Sequence, residues 1–101
     1  MPFVRAAKIA EVPVGAVHEI QVAGNPVALA NVAGKFFAIN NTCLHRGGPL
    51  GQGALQDKIV TCPWHGWQYD VTSGKVAANP AVGVACFVIE VRGEDIWVDC
   101  G

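Results

Sequence analysis

Charge is scarce in this sequence and spread thinly. Only 15% of the 101 residues are charged, seven basic against eight acidic, for a net charge of −1. No basic run occurs, so nucleic acid and an anionic membrane surface are not expected partners. Nor does any stretch approach the ~18 consecutive apolar residues that a bilayer-spanning helix needs. The start, Met1-Pro2-Phe3-Val4-Arg5, lacks the basic-then-apolar plan of a secretory signal. A soluble, cytoplasmic protein with no membrane contact is the expectation. Intrinsic disorder is excluded by a hydrophobic content of 51%. The length suits one small domain, expected over residues 1–101.

Helical periodicity is missing as well. The hydrophobic pattern alternates with a period of two, in short segments rich in Val, Ile and Phe: Phe3 to Lys8, Ala16 to Val22, Pro26 to Val32 and Lys35 to Asn40. Ile59 to Thr61, Gln68 to Asp70, Ala85 to Val91 and Ile96 to Asp99 continue the series. Ala33-Gly34 fits a tight hairpin turn, and Arg92-Gly93-Glu94-Asp95 a polar one. Twelve glycines and six prolines punctuate these segments at short intervals. The expected fold class is therefore all-β, an antiparallel sandwich or barrel. Two segments, Thr42 to Gly53 and Cys62 to Trp67, break the alternation, yet hold most of the reactive side chains.

There are only three histidines and four cysteines, and two of each fall into matched pairs. Cys43-Leu44-His45 precedes Arg46-Gly47-Gly48-Pro49-Leu50, and Cys62-Pro63-Trp64-His65 precedes Gly66-Trp67. Each pair offers one thiolate and one imidazole from a Gly/Pro-rich loop. If the loops face each other, four soft or borderline ligands converge on one site. A lone Cys or His is ordinarily a packed core residue, but four in matched pairs is a poor fit to that reading. Tetrahedral zinc also accepts two Cys and two His, although zinc fingers usually place both histidines on a helix, which is absent here.

Cys-x-His, sixteen intervening residues and then Cys-x-x-His-Gly resembles the signature of Rieske 2Fe–2S proteins. Gly47-Gly48-Pro49-Leu50 and Tyr69-Asp70…Thr72-Ser73-Gly74 extend the likeness, and the strand pattern carries it over nearly the whole chain. The resemblance implies a Rieske-like β-sandwich with two cluster-binding loops, at about 42–53 and 62–67. It implies one 2Fe–2S cluster, with Cys43 and Cys62 on one iron and His45 and His65 on the other. The family places its histidines at the domain tip, so His45 and His65 are also the implied electron exit. Neutral imidazoles in place of two thiolates make the site less negative and raise its potential relative to all-Cys clusters. Gly47, Gly48 and Gly66 are expected to let backbone N–H groups approach the sulfides. Pro49, Leu50, Trp64 and Trp67 are expected to form an apolar cover, with Asn79-Pro80-Ala81 as a third covering loop.

Departures from the family place this member within it. High-potential Rieske proteins carry a disulfide between the loops, at positions that here are Gly48 and Trp64, and a serine where Trp67 stands. Tyr69, whose counterpart bonds a cysteine sulfur, is retained. The expected potential is low for the family, about −150 mV or somewhat above. The resemblance thus implies a ferredoxin component of a bacterial ring-hydroxylating dioxygenase system, in aromatic hydrocarbon catabolism. Such a protein is an electron carrier and not a catalyst. Its expected partners are a flavin-dependent ferredoxin reductase and a terminal oxygenase, which a monomer would meet in transient docking. An oxygenase large subunit would need a further mononuclear iron site, and residues 66–101 contain no histidine to build one. The small Rieske subunit of an assimilatory nitrite reductase is the alternative, and a structural zinc domain a weaker one. Outside this constellation, Cys86 reads as a buried thiol, Cys100 as a tail thiol and His18 as a strand residue.

Overall fold

A computed structural model describes residues 3–44, 47–64 and 66–99. His45, Arg46, His65 and Cys100 lie outside the described residues. Strands make up most of the described chain, and no α-helix occurs among the described residues. The elements are β1 (Val4–Lys8), β2 (Val17–Val22), β3 (Asn25–Val32), β4 (Lys35–Asn40), β5 (Ala54–Gln56), β6 (Ile59–Thr61), β7 (Gln68–Asp70), β8 (Lys75–Val76), β9 (Asn79–Gly83), β10 (Cys86–Arg92) and β11 (Asp95–Asp99). Short 3-10 turns at Ile9–Glu11 and Leu50–Gln52 interrupt them.

Two antiparallel sheets result. The larger has the order β1-β11-β10-β4-β3-β2 and the smaller β5-β6-β7-β8-β9. The β3–β4 hairpin turns at Ala33-Gly34, between the paired Val32 and Lys35. Both turn residues have positive φ, 53° and 94°, the handedness that matches the twist of the flanking strands. Ala23-Gly24 closes the β2–β3 hairpin in the same way. Beneath the β3–β4 turn, buried Asn31 receives the Gly34 N–H at 2.9 Å and donates to the Val12 carbonyl at 2.8 Å.

β3 explains how one short chain fills two cores. Its residues Val27 to Asn31 are buried without a break, the mark of a strand covered on both faces. The period of two divides them. Val27 and Leu29 join Val22, Ala38, Ile96 and Val98 inside the larger sheet. Ala28 and Ala30 face the smaller sheet, together with Ile39, Leu50, Val60, Tyr69, Val71 and Val76. Cys43 and Cys62 belong to this second core.

Eight of the strands follow the alternation in the sequence. β5, β8 and β9 are not among them: β8 has only two residues and β9 is exposed on both faces, so neither carries an alternating pattern. Asn79-Pro80-Ala81 lies in strand β9, exposed throughout, rather than in a covering loop. Cys86 is a second correction. It is exposed at the start of β10, since alternation turns Phe87 and Ile89 toward the core instead. His18 is an exposed residue of β2, as expected.

Candidate functional site

The two reactive loops are built alike. The first joins β4 to β5 across the two sheets, and the second joins β6 to β7 within the smaller one. At the base of the first, Thr42 bridges Pro49 and the Cys43 N–H donates to the Gly48 carbonyl at 2.9 Å. At the base of the second, Thr61 pairs with Gln68 and the Cys62 N–H donates to the Trp67 carbonyl at 2.7 Å. Cys62 thus stands at the end of the β6–β7 ladder, and Cys43 just past an isolated bridge. The backbone is thereby fixed up to each reactive sulfur.

Both cysteines are 2% exposed, and they come together from loops far apart in sequence. Burial pushes the Cys62 thiol above its ordinary range, the Trp64 backbone pulls it back, and the facing Cys43 sulfur raises it again. A buried Cys62 thiol whose ionisation is hindered by burial and by the facing sulfur is a poor arrangement for the bare protein. The pair suits a bound cation that takes both as thiolates.

Gly48 forms the wall of this cradle. A Cβ there would stand 2.6 Å from the Cys62 sulfur and 3.1 Å from Trp64 Cγ, so a side chain would push on the Cys62 sulfur and the indole unless both shifted. The contact also brings together Gly48 and Trp64, the two positions that the resemblance assigns to a disulfide in high-potential proteins. Gly47 and Gly66 serve differently. Both have positive φ, 73° and 77°, and neither is tightly crowded. The Gly47 N–H is already engaged by the Cys43 carbonyl at 2.8 Å, which directs it into a turn rather than toward a sulfide.

Tyr69 is fully buried on β7. Its hydroxyl lies 3.2 Å from the Cys43 sulfur and accepts the Leu44 N–H at 2.9 Å. A metal-bound thiolate has no proton to give, so the hydroxyl must be the donor to it. Burial, reinforced by the hydrogen bond to Cys43, pushes the phenol up to about 12, and the donor proton is held at any physiological pH.

One part of the site carried no signal in the sequence. Asn41, only 5% exposed, precedes the first loop. Its amide donates to Glu19 Oε2 at 2.6 Å and accepts the Gly51 N–H at 2.6 Å. The Leu50 N–H reaches the Asn41 carbonyl at 2.8 Å, and Gln52 donates to the other Glu19 oxygen at 3.2 Å. Asn41 therefore ties both ends of the loop to each other and to β2. The burial of Asn41 cannot be read from the sequence. Nor can its partner Glu19, 22 residues away.

The apolar cover is uneven. Leu50 is a core residue, Trp67 packs partly buried against the same core, and Trp64 is half exposed. Cys43 and Cys62 are placed together, while His45 and His65 lie outside the described residues. The donor chemistry fits an iron–sulfur cluster: paired buried sulfurs, a steric gap enforced by Gly48, and a phenol donor on one sulfur.

Comparison with known proteins agrees. The Rieske 2Fe-2S domain model matches residues 3–88. The biphenyl 2,3-dioxygenase ferredoxin component of Rhodococcus jostii (strain RHA1) is 40% identical over 75 residues, which span 73% of this chain and 70% of that one. The solved ferredoxin of carbazole 1,9a-dioxygenase from Nocardioides aromaticivorans IC177 matches with a TM-score of 0.88 and 28% identity, over 97% of each chain. A chain in the complex of reduced oxygenase and oxidized ferredoxin of carbazole 1,9a-dioxygenase matches with a TM-score of 0.86 and 26% identity, over 95% of this chain and 91% of that one. The chain belongs to the Rieske 2Fe-2S domain family, and one Rieske 2Fe–2S cluster is its cofactor.

Proposed function

We propose that this chain is the ferredoxin component of a ring-hydroxylating dioxygenase system. It is an electron carrier and not a catalyst, taking single electrons from a flavin-dependent reductase and delivering them to a terminal oxygenase. It works as a cytoplasmic monomer that docks transiently. Cys43 and Cys62 would hold one iron, and His45 and His65 the other. When bound, the cluster supplies one reversible electron.

The chain's own residues do the rest. The backbone hydrogen bonds at Cys43 and Cys62 fix the two sulfurs relative to the rigid sheets. Gly48 keeps the space beside Cys62 clear. Tyr69 donates a proton-bearing hydroxyl toward Cys43, and Asn41 holds the loop ends in register. The core around Leu50, Val60 and Tyr69 keeps water from the inner side. The observation that carries the reading is the convergence of two buried cysteines from two loops with paired bases. The similarity to ferredoxin components of dioxygenase systems supports the choice of partners.

Purified holoprotein should contain two irons per chain and show a Rieske EPR spectrum when reduced with dithionite. Cys43→Ser or His65→Cys should abolish or alter that spectrum. An unchanged spectrum in either variant would refute the ligand assignment. Reconstitution with a flavin reductase and a terminal oxygenase should then support substrate hydroxylation only when the holoprotein is present.

A further inference from the structure

Glu19 is an exposed residue of β2, an edge strand of the larger sheet. A lone carboxylate in such a place is ordinarily a solvated charge. Here both of its oxygens are taken by amides of the first reactive loop. Oε2 accepts from Asn41 at the loop's entry, at 2.6 Å, and Oε1 from Gln52 at its exit, at 3.2 Å. Among the described residues, no Lys or Arg forms an ion pair with it. The backbone of Glu19 is engaged as well. A Cβ on Gly51 would stand 2.6 Å from Glu19 Cα and 2.7 Å from its N and Cβ, so the loop lies flat against β2 because this residue is glycine.

The contact also orients. An amide has one acceptor oxygen and one donor nitrogen, whereas a carboxylate only accepts. Glu19 therefore takes the Asn41 NH2 and leaves the Asn41 oxygen for the Gly51 N–H, at 2.6 Å. From Asn41 the order passes along the two arms of the loop. The Leu50 N–H donates to the Asn41 carbonyl at 2.8 Å, Thr42 bridges Pro49, and the Cys43 N–H donates to the Gly48 carbonyl at 2.9 Å. The smaller sheet holds the same loop through Tyr69 on β7, whose hydroxyl lies 3.2 Å from the Cys43 sulfur and 2.9 Å from the Leu44 nitrogen. The Tyr69–Cys43 contact thus joins one sheet to a loop that Glu19 fastens to the other. A hydrogen bond weakens steeply once it bends or stretches past its normal reach.

We propose that Glu19 is a positioning residue for the redox centre: by fastening the first cluster loop to β2 through Asn41, Gln52 and Gly51, it keeps the Cys43 sulfur within reach of the Tyr69 hydroxyl and so holds the reduction potential up. It acts through its reach and not through its charge. The two effects have opposite signs. A nearby negative charge disfavours an added electron, so removing it raises the potential. A slackened loop lengthens the Tyr69–Cys43 contact, and the potential falls. The proposal rests on Cys43 as a cluster ligand and is independent of the partners that the carrier meets.

Protein-film voltammetry of the holoprotein and its variants separates reach from charge, with EPR and iron content confirming an intact cluster. Glu19→Gln keeps the length and removes the charge. Its oxygen accepts from Asn41, and exposed Gln52 turns its own amide to present an oxygen. The redox equilibrium should move by less than about 1.5-fold, about 10 mV. Glu19→Asp keeps the charge but is one carbon shorter, and cannot hold Asn41 and Gln52 together. It should shift the equilibrium about threefold toward the oxidised form, a fall of about 28 mV. In a Tyr69→Phe background that fall should vanish, because the effect runs through the hydroxyl. If Glu19→Asp loses its iron, Gln52→Ala is read in its place and should give a smaller fall, also absent in the Tyr69→Phe background. A raised midpoint in Glu19→Gln with Glu19→Asp unchanged would show a charge effect and overturn the proposal. An intact Glu19→Asp at the parent's midpoint, or a fall undiminished in the Tyr69→Phe background, would overturn it as well. A Rieske spectrum that survives unchanged in Cys43→Ser would instead refute the ligand assignment, and the proposal with it.

Discussion

Replacing Tyr69 by Phe removes one hydroxyl from the site and keeps the buried ring that packs the core. In the parent protein that hydroxyl lies 3.2 Å from the Cys43 sulfur and accepts the Leu44 N–H. A hydrogen bond to a charged acceptor contributes about 1.5–3 kcal/mol net. Reduction places a further negative charge at the site, and the bond to the thiolate strengthens. If about a third to a half of the bond energy is added on reduction, the reduced state is favoured by about 1 kcal/mol. For a one-electron couple, a tenfold change in equilibrium is 59 mV and about 1.4 kcal/mol, so the Phe variant should fall in midpoint by about 40 mV. Protein-film voltammetry reads the shift, with EPR and iron content confirming that the cluster is intact. The Leu44 N–H also loses its acceptor, and unfolding in urea should begin at lower concentration. An intact variant with a midpoint raised, or moved by less than about 10 mV, would mean that Tyr69 does not donate to Cys43.

Gly48→Ala should cost most of the iron content, because its Cβ would stand 2.6 Å from the Cys62 sulfur and overpacking of this kind costs about 1–3 kcal/mol. Gly66→Ala, with open space but positive φ, should instead lose about 1–2 kcal/mol of stability and keep its iron; equal iron content in the two variants would refute the distinction. Asn41→Ala leaves the Gly51 N–H and the Glu19 carboxylate without their partner, a loss of about 1–3 kcal/mol. Hydrogen exchange should then speed up across residues 42–53 and stay unchanged in β10 and β11. Asp70 carries the pH dependence: burial raises its pKa, but hydrogen bonds from Thr72 and the Lys58 ammonium at 3.5 Å outweigh it and hold the carboxyl below its usual value. Its contribution to stability is therefore complete above about pH 4 and is lost as pH falls through the lower folded value. Asp70→Asn should flatten that acid limb in thermal melts recorded at successive pH values, and a profile parallel to the parent's would show that another group is responsible.

Much of this protein is legible in its sequence because its signals are local. Strand alternation, the Ala33-Gly34 turn and the Cys-x-His and Cys-x-x-His-Gly pairs each depend on neighbours a few residues apart, and from them came the all-β fold and the reactive loops. Tertiary structure decided what depends on distance through space. Only packing set Ala28 and Ala30 toward one core and Val27 and Leu29 toward the other, from a strand that alternation alone reads as one hydrophobic run. Only packing drew Asn79–Gly83 into an edge strand, since short strands are held by their neighbours rather than by their own propensity. Gly48 in the sequence is one of twelve glycines, and its place against the Cys62 sulfur exists because two hairpins meet. Glu19, Asn41 and Gly51 come from three separate elements, and no pattern along the chain links them. Residue types and their local spacing determine which chemistry is available. The long-range contacts, which the chain forms only when both sheets close around the second core, determine where that chemistry is held.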